Sequence, residues 1–140
     1  MSRPTSLRLP DELRARLENE SRQIASPVAS LAVSLLDEGL KMRQFSGIVF
    51  RDGPAGRRAG LAKGPDVWEI VRDLKRARGT TLSRVDLVAE EAGLAPEAIG
   101  LAADYYAAFP DEIDARIDMN ERVAAELREI AERRERLLTT

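Results

Sequence analysis

The chain has 140 residues, enough for one domain or two very small ones, and with 44% apolar but only 4% aromatic residues its core must be built from Leu, Ile, Val and Ala, which favours helices over sheets. It has no Cys and no His, which excludes a disulfide framework, thiolate metal sites, the commonest general base and the Ser–His and Cys–His nucleophile pairs. The net charge of −2 hides an asymmetry: residues 1–44 carry 7 basic and 6 acidic groups, residues 45–80 carry 8 and 4, and residues 81–140 carry 7 and 14, so a polyanion suits the first 80 residues and is repelled by the last 60.

Taken in chain order, Thr5-Ser6-Leu7-Arg8-Leu9 alternates in character and meets Pro10, which reads as one short strand. Pro10-Asp11-Glu12-Leu13 starts a helix, with Pro and acids in the first turn, and Leu13, Leu17 and Ile24 keep helical spacing to about residue 23. Ser26 as N-cap and Pro27 at the first helical position restart the chain, and Val28, Leu31, Leu35, Leu36 and Leu40 line one broad face of a second helix running to about Met42.

Ile48–Arg51 is β-prone, Asp52–Gly56 is a turn, and Arg57–Leu61 is a returning strand. Gly64-Pro65-Asp66 begins another helix, with Val67, Trp68, Val71 and Leu74 on one face. Two further helices, over 82–92 and 96–108, flank Gly93, with Ala89 and Ile99 at helix-turn-helix-like spacing. The second of these has no Lys or Arg from Ala95 to Ala108, so phosphate should repel it, and the pair reads as structural. A last helix spans 111–138, with Glu112 and Arg116, Asp118 and Arg122, Glu129 and Arg133, and Glu132 and Arg136 as acid-before-base pairs, each worth roughly 0.2–0.5 kcal/mol. Ile113, Ile117, Val123, Leu127, Ile130 and Leu137 give it a thin apolar stripe. The organisation is therefore mainly α: a module over 1–44, a β-hairpin plus helices over 45–110, and an amphipathic C-terminal helix over 111–140.

One strand and two amphipathic helices cannot bury themselves, and a lone strand has two open edges. A symmetric dimer solves both problems, with the strands paired antiparallel beneath four helices. Thr5, Leu7 and Leu9 would then face the helices, while Pro4, Ser6 and Arg8 face outward. Such a ribbon fits the DNA major groove, where Arg8 reaches a guanine edge and Ser6 donates or accepts at several bases. The start of the second helix at Ser26 offers N–H groups to a phosphate.

Leu7-Arg8-Leu9-Pro10-Asp11-Glu12-Leu13, followed by Leu31-Ala32 and Leu35-Leu36-Asp37-Glu38-Gly39-Leu40, resembles the ribbon-helix-helix family of phage repressors and bacterial antitoxins. The resemblance covers about residues 3–43. Pro4 departs from it, standing where the family often has a polar base reader. So does the turn Ile24-Ala25-Ser26-Pro27-Val28, where the family usually has Gly and a basic residue. Arg8 would then carry most of the readout, with Arg3 reaching phosphates.

The segment 46–117, with Asp52-Gly53-Pro54-Ala55-Gly56-Arg57-Arg58, Tyr105-Tyr106 and Phe109-Pro110-Asp111-Glu112-Ile113, resembles a small domain of antitoxins paired with PIN-like nuclease toxins. The resemblance implies a cytoplasmic type II antitoxin that binds its own promoter as a homodimer and neutralises a PIN-like ribonuclease. It implies toxin contacts at Arg57, Arg58, Ile113, Arg116, Ile117, Arg122, Leu127 and Ile130, with an Arg entering the toxin's acidic metal pocket. No catalytic residue, metal site, cofactor or membrane partner is expected. A free-standing repressor and an oligomerising scaffold without DNA binding stay open as alternatives.

Overall fold

The computed structural model describes residues 2–140. The described residues form six helices and one antiparallel pair of strands: α1 (Asp11–Gln23), α2 (Val28–Gln44), β1 (Ile48–Arg51), β2 (Arg58–Leu61), α3 (Val67–Arg76), α4 (Thr81–Ala92), α5 (Pro96–Ala108) and α6 (Pro110–Thr139). No helix among them is long and apolar enough to cross a membrane. The chain divides into two compact units, one ending at Gln44 and the other spanning Phe45–Thr140.

In the first unit α1 packs on α2. Pro10 stands at the N-terminal boundary of α1, where its missing N–H costs nothing, and its carbonyl takes the first helical bond from Arg14 at 2.9 Å. Between the helices Ala25 has φ +52°, a left-handed conformation unusual for a residue with a Cβ. The turn is tied by Ser26 N–H donating to the Ser21 carbonyl at 3.0 Å and by the Ser21 hydroxyl donating to the Ser26 carbonyl. Residues 2–10 form neither helix nor strand. The strand expected over Thr5–Leu9 is thus absent from the single chain: a strand needs a partner edge, and the sheet contains β1 and β2 alone.

The second unit has the conventional core. β1 and β2 pair Ile48 with Leu61 and Arg51 with Arg58. Ile48, Ala59 and Leu61 bury their side chains with Val67, Ile70 and Val71 of α3. Val88 and Ala89 of α4, Ile99, Ala102 and Tyr105 of α5, and Ile113 and Ile117 of α6 complete it. The few aromatics concentrate here: Phe45, Tyr105 and Phe109 meet with ring centroids 5.1–6.1 Å apart. Gly93 ends α4 at φ +69°, and its N–H reaches the Glu90 carbonyl, which lets α5 turn back onto α4.

Two turns of α6 lie inside this core, so residues 111–140 do not stand apart as a separate segment. Lys75 of α3 fastens them by donating to Asp114 at 2.8 Å, and the Tyr106 hydroxyl donates to the same carboxylate oxygen at 2.9 Å. These two hydrogen bonds hold the Asp114 carboxyl below its ordinary pKa of 3.8. The bond to Asp114, then that with Tyr106, raises the Lys75 ammonium above 10.5.

Candidate functional site

Two regions carry the residues singled out from the sequence. The first is the N-terminal segment and the start of α2. Arg3, Ser6 and Arg8 are exposed. Leu7 and Leu9, on the opposite side of the alternation, are exposed as well, Leu7 to 66%. Ser26 is half-buried, and its own N–H is spent on the Ser21 carbonyl. The first helical bond of α2 runs from Leu31 to the Pro27 carbonyl, so Pro27 rather than Ser26 stands at the helix boundary. Any phosphate at this end must therefore use the N–H groups of the first turn beyond Pro27.

The apolar stripes of α1 and α2 are also open. Leu13, Ile24, Val28, Leu35, Leu36 and Leu40 are all exposed, whereas Leu31 is the buried hydrophobic residue of this unit. A groove of about 380 Å³ runs between the helices, floored by Leu13, Leu17 and Leu35. An isolated unit with this distribution has too little interior to offset its chain entropy.

The second region is a cleft of about 570 Å³ among the hairpin, α3 and α6, lined by Arg51, Arg58, Asp66, Trp68, Arg116 and Val123 among others. Asp66 is its hub. Its side chain is 10% exposed. It accepts from Arg58 Nε, from an Arg51 guanidinium nitrogen at 3.2 Å and from Trp68 Nε1 at 3.3 Å. Asp66 also starts α3, where its N–H donates to Glu69 Oε2 at 2.9 Å. Each guanidinium also donates to backbone: Arg51 to the Leu61 carbonyl and Arg58 to the Asp52 carbonyl at 2.8 Å. Arg72 lies over the Trp68 ring at 5.1 Å.

This geometry reassigns half of the residues proposed for toxin contact. Arg58 holds Asp66 and the hairpin turn, and so is not simply solvated. Arg116 donates to the carbonyls of Ala55 at 3.1 Å and Arg57 at 3.0 Å, clamping the turn onto α6. It does so instead of pairing with Glu112, whose carboxylate accepts the buried Tyr105 hydroxyl at 2.5 Å. Ile113 and Ile117 are buried in the unit's own core and offer no surface to a partner. Arg57 is exposed beside Asp52 at 3.2 Å, and Arg122 lies in an exposed patch with Asp118 and Glu121. Leu127 and Ile130 are exposed, to 61% and 57%.

Sequence reasoning missed Asp66 and Arg51 as functional parts of this region. The available signal was an acid at a helix start, three residues before Glu69, which marks a cap but does not say that two arginines from a hairpin converge on it. Compared with family models, with curated proteins and with solved structures, the chain shows no match to any of them.

Proposed function

We propose that the chain is a ribbon-helix-helix DNA-binding homodimer that acts in the cytoplasm as an antitoxin, repressing its own promoter and neutralising a PIN-like nuclease. The observation that carries the dimer is the open apolar face of the first unit: Leu7, Leu9, Leu13, Leu35 and Leu36 stay 37–66% exposed within it. Fully burying a Leu is worth about 1.5–3 kcal/mol, so covering even half of each of these side chains favours association by several kcal/mol per copy. A second copy supplies that cover and, through Thr5–Leu9, the missing strand edge.

Paired in this way, the ribbon turns Ser6 and Arg8 outward together, two copies of each across a dyad. That is the symmetry a palindromic site requires. Arg3 and the first turn of α2 then contact the backbone phosphates. The toxin half of the reading rests on the sequence resemblance, and after the reassignments above its contacts fall to Arg57, Arg122, Leu127 and Ile130. A repressor without a toxin is the alternative, and a partner that co-purifies with the chain when neighbouring genes are co-expressed separates the two.

The test of DNA binding is a fluorescence-anisotropy titration against DNA from immediately upstream of the chain's own gene, at two salt concentrations, beside Arg8→Ala. Tight, salt-sensitive binding weakened at least tenfold in Arg8→Ala is the expected result. Equal weak binding by both proteins, or none, overturns the DNA reading and leaves a dimerising scaffold.

A further inference from the structure

The second half of α6 has left the core. Ile117 is its last core residue, and from Glu121 onward every side chain except the half-buried Ala124 is exposed. Yet one face is not polar. Val123, Leu127, Ile130 and Leu137, with Asn120 and Arg134 in the intervening places, follow one another at alternating steps of three and four. That is the heptad seam of a coiled coil, and no other element of the unit covers it.

We infer that this seam pairs with the α6 seam of a second copy, in antiparallel orientation. Charge selects the orientation. A parallel pair in register stacks Arg134 on Arg134 and sets the flanking Glu126 and Arg133 against Ala131 and Leu138, with no opposite charge for either. The antiparallel pair has its dyad between Leu127 and Ile130. It places Leu127 on Ile130, Val123 on Arg134 and Asn120 on Leu137 of the second copy. Glu126 then lies opposite the second copy's Arg133, twice by symmetry. Ala124 meets Ala131 on the other flank, and their small side chains permit close approach. In this orientation the stripe's own flanking charges, Glu126 and Arg133, complement one another across the two-fold axis, which is why a second copy is its occupant.

The cleft of the second unit lies at the end of the same seam, with Met119, Asn120 and Val123 in its wall beside Trp68 and Glu69. In the antiparallel pair it receives the far end of the second copy's helix. Leu137, 77% exposed in the single chain, meets Met119 and Trp68 there, and the Arg134 guanidinium meets the Glu69 carboxylate. This pairing does not involve the N-terminal ribbon, and because it covers Leu127 and Ile130 it competes with toxin contact at those two residues.

The chain has no native Cys, so single-cysteine variants of the full protein report the orientation directly. Val123→Cys and Arg134→Cys are each oxidised alone and as an equimolar mixture, then run on a non-reducing gel. A cross-linked dimer in the mixture and not in either protein alone is the expected outcome, because a disulfide forms only when the two Cβ atoms come within about 3.5–4.5 Å. Cross-linking of each protein alone shows a parallel pair and overturns the assignment. No cross-link in any sample overturns the pairing and leaves the stripe to a different protein. Adding Ile130→Glu to both cysteine variants supplies a second measurement: the cross-link in the mixture should be lost while anisotropy with promoter DNA is unchanged, and an undiminished cross-link refutes the inference without bearing on the ribbon.

Discussion

Removing the Asp66 carboxylate should destabilise the second unit more than any other single charge removal, and the structure sets the size of the effect. The carboxylate is nine-tenths buried and serves three donors, the Arg58 and Arg51 guanidinium groups and the Trp68 indole. Leaving a fully buried charge without its partner costs about 3–5 kcal/mol. Here the two guanidinium groups are about 30% exposed and keep carbonyl partners at Asp52 and Leu61, so part of that cost is recovered by water. For Asp66→Ala a loss of about 2–3 kcal/mol follows. For a unit of this size that is a fall of roughly 10–20 °C in Tm. Asp66→Asn keeps an oxygen acceptor and should lose about half as much. Urea denaturation followed by far-UV circular dichroism and by the fluorescence of Trp68, the chain's one tryptophan, measures both variants. In a double-mutant cycle, Arg58→Ala should show coupling with Asp66→Ala above about 1 kcal/mol. An Asp66→Ala protein within about 0.5 kcal/mol of the parent would refute the argument that this carboxylate organises hairpin and helix.

Other perturbations follow from single features. Ala25→Gly relieves the left-handed backbone at φ +52° and should stabilise the first unit by about 0.5–1 kcal/mol in thermal denaturation, whereas a loss of that size would mean the turn is not left-handed in solution. Gly93→Ala meets no atom within 4 Å, so its cost of about 1 kcal/mol is conformational alone, and a neutral result would place Gly93 outside the left-handed region. The Lys75–Asp114 pair should impose a pH window. The lowered Asp114 pKa contributes stability above the unfolded value of 3.8 that is lost as pH falls through the folded value, and the raised Lys75 pKa contributes below 10.5 and is lost as pH rises through its folded value. The stability difference between the parent and Asp114→Ala should therefore stay level across neutral pH and shrink in acid, and a difference that changes between pH 6 and 8 would assign the effect to other groups.

Most of the secondary structure was legible because its signals are local. Pro10 before acids, Gly93 past the last periodic residue, Pro96 at a first helical turn and Asp52–Gly56 between β-prone runs each act on the backbone within a few residues. The strand over Thr5–Leu9 shows where local reading stops. Its alternation is in the sequence, but a strand exists only once another edge accepts its hydrogen bonds, and in the single chain residues 2–10 pair with none. The Ser26 cap illustrates a finer limit: Ser21, five residues earlier, takes its N–H and its carbonyl, and nothing in the spacing marks that exchange.

The candidate site was legible as residue types and not as roles. Arg57-Arg58 reads as one basic pair, yet the hairpin register sends Arg58 to Asp66 and leaves Arg57 beside Asp52 in solvent. The stripe of α6 reads as one continuous face, yet it divides at Ile117, with the first part in the core and the rest open. Helical periodicity determined by itself that Ile113, Ile117, Leu127 and Ile130 lie on one side of a helix, because that depends only on the turn of the backbone. Which of them is buried was decided by where α3 and α5 end against α6, and Arg116 became a clamp because the hairpin turn brings two carbonyls from some 60 residues away within reach. Burial and hydrogen bonding are properties of the neighbours that folding assembles, and those neighbours are distant in sequence.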